Sequence, residues 1–263
     1  MIMRAFSLLI GAALLLVMVS PWFALQSEQI NLNQILSPPS MHLLLGGDEL
    51  GRSIGERLLV GARLSLLVAV VVVAFSAVLG ISVGLVAGYL GGWVDQVIVR
   101  VIDVVLAFPG LLLAIALAGM LGPGIDNLVL ALITVGWVGF ARLTRAQVLS
   151  LRESDHVQAA RALGSGAIFI MSRHLLPLAY APLVIEATFG LAGAVLAEAS
   201  LSFLGLGIQP PSPTWGSMIR DGARYMLVAP HYVLAPGAAL LLVVLTVNLI
   251  GDNLRDRLDI RRT

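Results

Sequence analysis

The sequence predicts an all-α, polytopic membrane protein with six transmembrane helices. Three observations carry that prediction. Hydrophobic residues make up 59% of the chain and charged residues 12%, with a mean hydropathy of +0.97. A soluble domain of 263 residues does not have that balance. The apolar residues also fall into uncharged runs about as long as a bilayer requires, separated by polar or turn-rich segments. Finally, one charged island, residues 153–177, reads as helix, glycine turn, helix between two such runs.

The spans are expected at about 5–25, 64–87, 101–121, 127–145, 182–204 and 232–250, in one transmembrane domain of residues 1–263. The first run extends from Ile2 to Leu25, with Trp22 and Phe23 suited to an interface, and shows no small-x-small cleavage site. It is therefore read as a retained span rather than a signal peptide. Leu64 to Ala87 carries no charge, and Gly80, Gly84 and Gly88 recur on one face. Small residues at that spacing admit a close neighbour, and packing within the chain explains them more simply than a dimer seam. The third run contains Phe108-Pro109-Gly110, which predicts a kinked helix. The fourth is short and is extended by Arg142 and Arg145, read as snorkelling from its end. The fifth contains Glu186 and Glu198. A proline-rich segment follows, read as an interfacial loop anchored by Trp215, and then the sixth run and a charged tail.

The island sits in a loop at about 148–181. Val157, Ala160 and Leu163 recur at helical spacing, so a short helix ends near Leu163. Gly164 stands where a helix stops, because glycine takes a positive φ without steric cost. Ile168, Met171 and Leu175 begin a second helix, which Pro177 is expected to stop.

All 16 basic residues are arginine. With six spans, Arg52, Arg57, Arg63, Arg220 and Arg224 lie on one side and the other eleven on the opposite side. That asymmetry places both termini and the charged loop in the cytoplasm. The lack of lysine excludes a P-loop ATPase, which needs that side chain on the phosphates, and a lysine Schiff base. The lack of cysteine excludes disulfides and thiolate metal sites. His42, His156, His174 and His231 form no His-x-x-x-His pair, so no metal or catalytic site is expected.

Several segments resemble ATP-binding-cassette importer permeases. The loop matches through Gln158-Ala159-Ala160, Gly164 and Leu175-Leu176-Pro177, with Gln158 where the family often has glutamate. Leu45-Gly46-Gly47-Asp48-Glu49-Leu50-Gly51-Arg52-Ser53 and Gly61-Ala62-Arg63-Leu64-Ser65-Leu66 resemble elements of the dipeptide, oligopeptide and nickel branch, in particular the second permease of the pair. Gly88 to Asp95, Ala199 to Gly216 and Gly251 to Asp259 resemble that branch as well.

The resemblance implies a type I importer permease fold in a bacterial inner membrane. It implies a partner permease forming a heterodimer, two cytoplasmic ATPase subunits that hold ATP and magnesium, and an extracytoplasmic solute-binding protein. No cofactor is expected on this chain, and no nucleic-acid partner. The resemblance makes the loop the ATPase-coupling element, through Asp155, Val157, Gln158, Ala159, Ala160, Arg161, Leu163, Gly164, His174, Leu176 and Pro177.

Glu186 and Glu198 are candidates for the translocation path, or for structural hydrogen bonding inside the membrane. Twelve residues apart on one helix, they stand about 18 Å apart along its axis and cannot share one ion. A second reading makes them the ion sites of a gradient-driven secondary transporter. The substrate (dipeptide, oligopeptide, glutathione, or nickel chelate) is left open by the sequence.

Overall fold

The computed structural model describes residues 26–41 and 43–258, and about three quarters of those residues are helical. One isolated antiparallel bridge, Gly47 to Ser53, is the β pairing among them. The expected span at 5–25, His42 and Asp259 lie outside the described residues.

Helix α1 (Ile54–Leu90) opens with Ser53, whose hydroxyl accepts from the Glu56 amide. It starts before the apolar run does, because Arg57 is buried against Asp48 of the preceding loop and the polar turn stays ordered. The glycine face of α1 lies on helix α4 (Ile125–Leu151). A Cβ at Gly80 would stand 2.3 Å from the Trp137 carbonyl oxygen, and one at Gly84 would stand 2.5 Å from that of Ala141. The stripe therefore serves packing within the chain, as the spacing suggested.

Residues 101–121, expected as one span kinked at its proline, fall in two helices with the break at Pro109. These are α2 (Gly92–Leu106) and α3 (Gly110–Leu121), set 83° apart. Proline disfavours helical backbone in the residue before it, so α2 ends ahead of Phe108 and the chain turns at Pro109. Arg145 does not snorkel. Its Nε and Nη2 donate to Asp95 at 2.5 and 2.7 Å, tying the start of α2 to α4.

After α4 come α5 (Asp155–Ala162), α6 (Ala167–Ile170), a π turn (Met171–Leu175) and α7 (Leu176–Phe203). Pro177 does not stop the helix. In the π turn the Leu176 amide reaches back to the Met171 carbonyl, and Pro177 enters in the first turn of α7, where a missing amide costs little. Trp215 is 2% exposed rather than interfacial. It begins a further helix, α8 (Trp215–Ala223), and its Nε1 donates to the Leu58 carbonyl at 3.2 Å. Thr214 and Ser217 close a reciprocal capping box there. Helix α9 (His231–Leu258) carries on through most of the charged tail.

The main core joins α1, α4 and α7 around Val68, Leu128, Val195, Leu201 and Trp215. Among the described residues, α1, α4, the run Ala167–Phe203 and α9 are long and apolar enough to cross a membrane. The bent α2–α3 pair adds a fifth crossing if it is one span. Large side chains such as Phe75, Val78 and Val104 point outward, as a bilayer or a neighbouring subunit requires.

Candidate functional site

The loop after α4 is built on the ends of α1 and α4. Val148 and Leu151 of α4 and Leu85 and Tyr89 of α1 pack with Val157, Ala160, Ile170 and Leu175. The periodicity that made Val157 and Ala160 apolar thus turns α5 inward, onto its own scaffold. Ala160, which the resemblance assigns to the coupling element, is 7% exposed, and its burial belongs to this chain.

Leu163, expected on the same face as Val157, is 86% exposed. It lies past the last turn of α5, where the chain leaves the helix. Gly164 has φ +80°, its amide bonds to the Arg161 carbonyl, and the Ser165 amide reaches the Ala160 carbonyl. This is a glycine-closed helix end in which the backbone conformation, not a tight contact, requires glycine.

Polar contacts fix the loop from below. Arg152 donates to the Gly88 carbonyl at 3.1 Å and approaches Glu153 at 3.2 Å. Glu153 in turn accepts from the Gln158 amide at 3.0 Å. The Arg161 guanidinium lies 5.0 Å from the centre of the Tyr89 ring. His174 sits between His156 and Phe169, at ring separations of 6.2 and 5.7 Å. Leu176 is half-buried, and Pro177 is exposed.

What remains outside is a compact surface. Asp155, Gln158, Ala159 and Arg161 are exposed on α5, with Leu163, Ile168 and Phe169 beside them. Apolar side chains this exposed, rimmed by charges, are the kind of surface that a protein partner can cover. Sequence reading missed Ile168 and Phe169 as surface residues, because helical periodicity alone put Ile168 on the packed side.

The two intramembrane carboxylates have different surroundings. Glu198 is fully buried, and Ser202 donates to its Oε1 at 2.6 Å. Glu186 is half-buried, and its Oε1 lies against Gly139 of α4. The structure does not bring the two together.

The family described as binding-protein-dependent transport system inner membrane component matches residues 80–263. The chain belongs to this family. It is a permease subunit of an ATP-binding-cassette importer, and the family implies ATPase and binding-protein partners. The permease is 42% identical to a dipeptide transport system permease protein of Alkalihalophilus pseudofirmus, over 96% of this chain and 83% of that one. It is 41% identical to a glutathione transport system permease protein of Escherichia coli, over 96% and 82% of the two chains. Its fold is similar to that of the MetNI methionine ABC transporter, with a TM-score of 0.63 and 19% identity. That match covers 77% of the permease and 96% of the MetNI chain.

Proposed function

We propose that the permease carries small peptides inward as one half of a heterodimeric channel, coupled to cytoplasmic ATPases through residues 153–177. The similarity to dipeptide and glutathione permeases over nearly the whole chain carries the peptide assignment. Glutathione is itself a tripeptide, so one substrate chemistry covers both relatives.

The arginine asymmetry supports cytoplasmic termini, with the span at 5–25 completing six. Both ATP and magnesium are held by the partner ATPases. Leu163, Ile168, Phe169 and the polar face of α5 make the docking contact, while Val157, Ala160 and Leu175 hold that contact in shape. Gly164, His174, Leu176 and Pro177 set the angle between α5 and the helix that continues into α7. A tilt of the docked ATPase is thereby passed to a span without an intervening flexible segment.

The test is uptake of radiolabelled Ala-Ala into proteoliposomes containing this chain, its partner permease, the ATPases and the binding protein. Uptake should require ATP and persist without an ion gradient. Uptake driven by a gradient alone would instead favour the secondary transporter with Glu186 and Glu198 as ion sites.

A further inference from the structure

Besides the polar pocket at Arg52 and Arg220, whose acids Glu49 and Asp221 are paired within the chain, a cavity of about 260 Å³ opens between α1, α3, α4 and α7. Leu111, Val135 and Phe140 give it apolar walls, and Gly136, Gly190 and Gly193 line the rest.

Packing explains the glycines of α1, but not two of these. Among the described residues, a Cβ at Gly193 would meet nothing within 4 Å, and one at Gly190 nothing closer than 3.9 Å. Glycine weakens a helix interior, and no neighbour in this chain requires it at either position. What the two glycines keep is open volume.

A free carboxylate stands beside that volume. Glu186 lies one turn from Gly190 on α7, and Gly139 lies one turn from Gly136 on α4, both toward the coupling loop. A Cβ on Gly139 would stand 2.7 Å from Glu186 Oε1, so glycine there leaves the carboxylate its place. Glu186 is half-buried and makes no ion pair or hydrogen bond among the described residues, and its oxygens are not sealed from the surface. Glu198 differs on each count. It is fully buried, its Oε1 takes the Ser202 hydroxyl, and its Oε2 is enclosed, so no solute reaches it.

An ionised side chain inside a span does not face hydrocarbon; it faces a cavity or a watery path and takes a partner there. The partner of Glu186 is a cation from outside the described chain. A peptide with a free N-terminus brings one, an ammonium with several donors. One helical turn is about 5 Å, or one to two residues of extended peptide. An ammonium on Glu186 therefore puts the first side chains of a peptide into the apolar cavity. An ion pair with a neighbouring subunit would need the carboxylate but not the open volume next to it.

We infer that Glu186 binds the terminal ammonium of a peptide in transit, while the adjoining cavity takes its apolar side chains. This rests on the peptide reading above, and it makes Glu186 a specificity-determining residue of the permease itself.

The experiment uses the assembled importer in nanodiscs, without binding protein or nucleotide, so that peptide is held by the permeases. Saturation-transfer NMR compares Ala-Ala with N-acetyl-Ala-Ala, which lacks the ammonium. The wild type should favour Ala-Ala about tenfold or more. Glu186→Gln should bring Ala-Ala down to the level of the acetylated peptide, and Glu186→Asp, which keeps the charge, should keep a preference. Gly193→Leu, whose side chain enters open space, should weaken both peptides. Every variant is checked by thermal melt and by co-purification with the partner permease. An unchanged preference in Glu186→Gln, or full binding in Gly193→Leu, would overturn the inference. So would failure of Glu186→Gln to assemble with the partner permease, since the carboxylate would then hold a cation of that subunit. Uptake of Ala-Ala by the wild type, with ATP and binding protein, is measured in parallel. If uptake occurs but the permeases do not distinguish the two peptides, the inference falls and the peptide reading stands. If the wild type neither imports nor binds Ala-Ala, both fall.

Discussion

Ala160 and Leu163 show how one helical stripe can divide between two duties. Ala160→Asp would put a charge among Val148, Val157, Ile170 and Leu175. An unpaired charge there costs several kcal/mol, so the loop should lose order, read as faster proteolysis within 153–177 in membranes. Leu163→Asp adds its charge to an 86% exposed position. Proteolysis and membrane level should stay as in the wild type, while capture of the ATPase from solubilised membranes falls. Gly164→Val meets no neighbour, but its φ of +80° costs a branched residue about 1–2 kcal/mol. Gln158→Glu would set a second carboxylate beside Glu153 where an amide now donates. Both groups are exposed, so the penalty should stay under about 1 kcal/mol and uptake should continue.

The packing of elements is most exposed to test where α1 meets α4. Gly84→Ala would set a Cβ 2.5 Å from a backbone oxygen, which cannot swing aside as a side chain can. Helices forced apart this way lose about 1–3 kcal/mol. Gly193→Ala on α7 meets nothing within 4 Å and should melt like the wild type in detergent. Asp95→Asn should cost about 1–3 kcal/mol by removing the two-point clasp that holds α2 to α4. These contacts also mark where sequence reading stops. The glycine stripe and the Gly164 stop were legible because each follows from local stereochemistry. Asp95 stood out in a motif, but its partner lies fifty residues on, and no periodicity announces it. Pro177 was misread because a proline stops a regular α-turn, whereas the π turn before it supplies the missing slack. Helix α8 had a visible signal, Thr214-x-x-Ser217, which its short length and proline-rich setting obscured.

At the scale of the whole molecule, the chain carries an exposed apolar cluster at one end and a polar pocket at the other. Composition alone gave the membrane character and the lack of a phosphate-binding lysine. The purified chain should therefore show no ATP turnover once all ATPase partner is removed. The orientation proposed from the arginine counts predicts that a reporter in the 26–46 loop is active only in its extracytoplasmic form. The coupling patch can be tested most directly by crosslinking, because the chain has no cysteine and a single introduced thiol is unambiguous. Leu163→Cys, labelled with a photoactivatable maleimide in the assembled importer, should crosslink to an ATPase subunit. The same label at Leu227, 99% exposed at the opposite end of the helices, should not. An ATPase crosslink absent from position 163, or equally strong from position 227, would contradict the assignment of residues 153–177 as the coupling element.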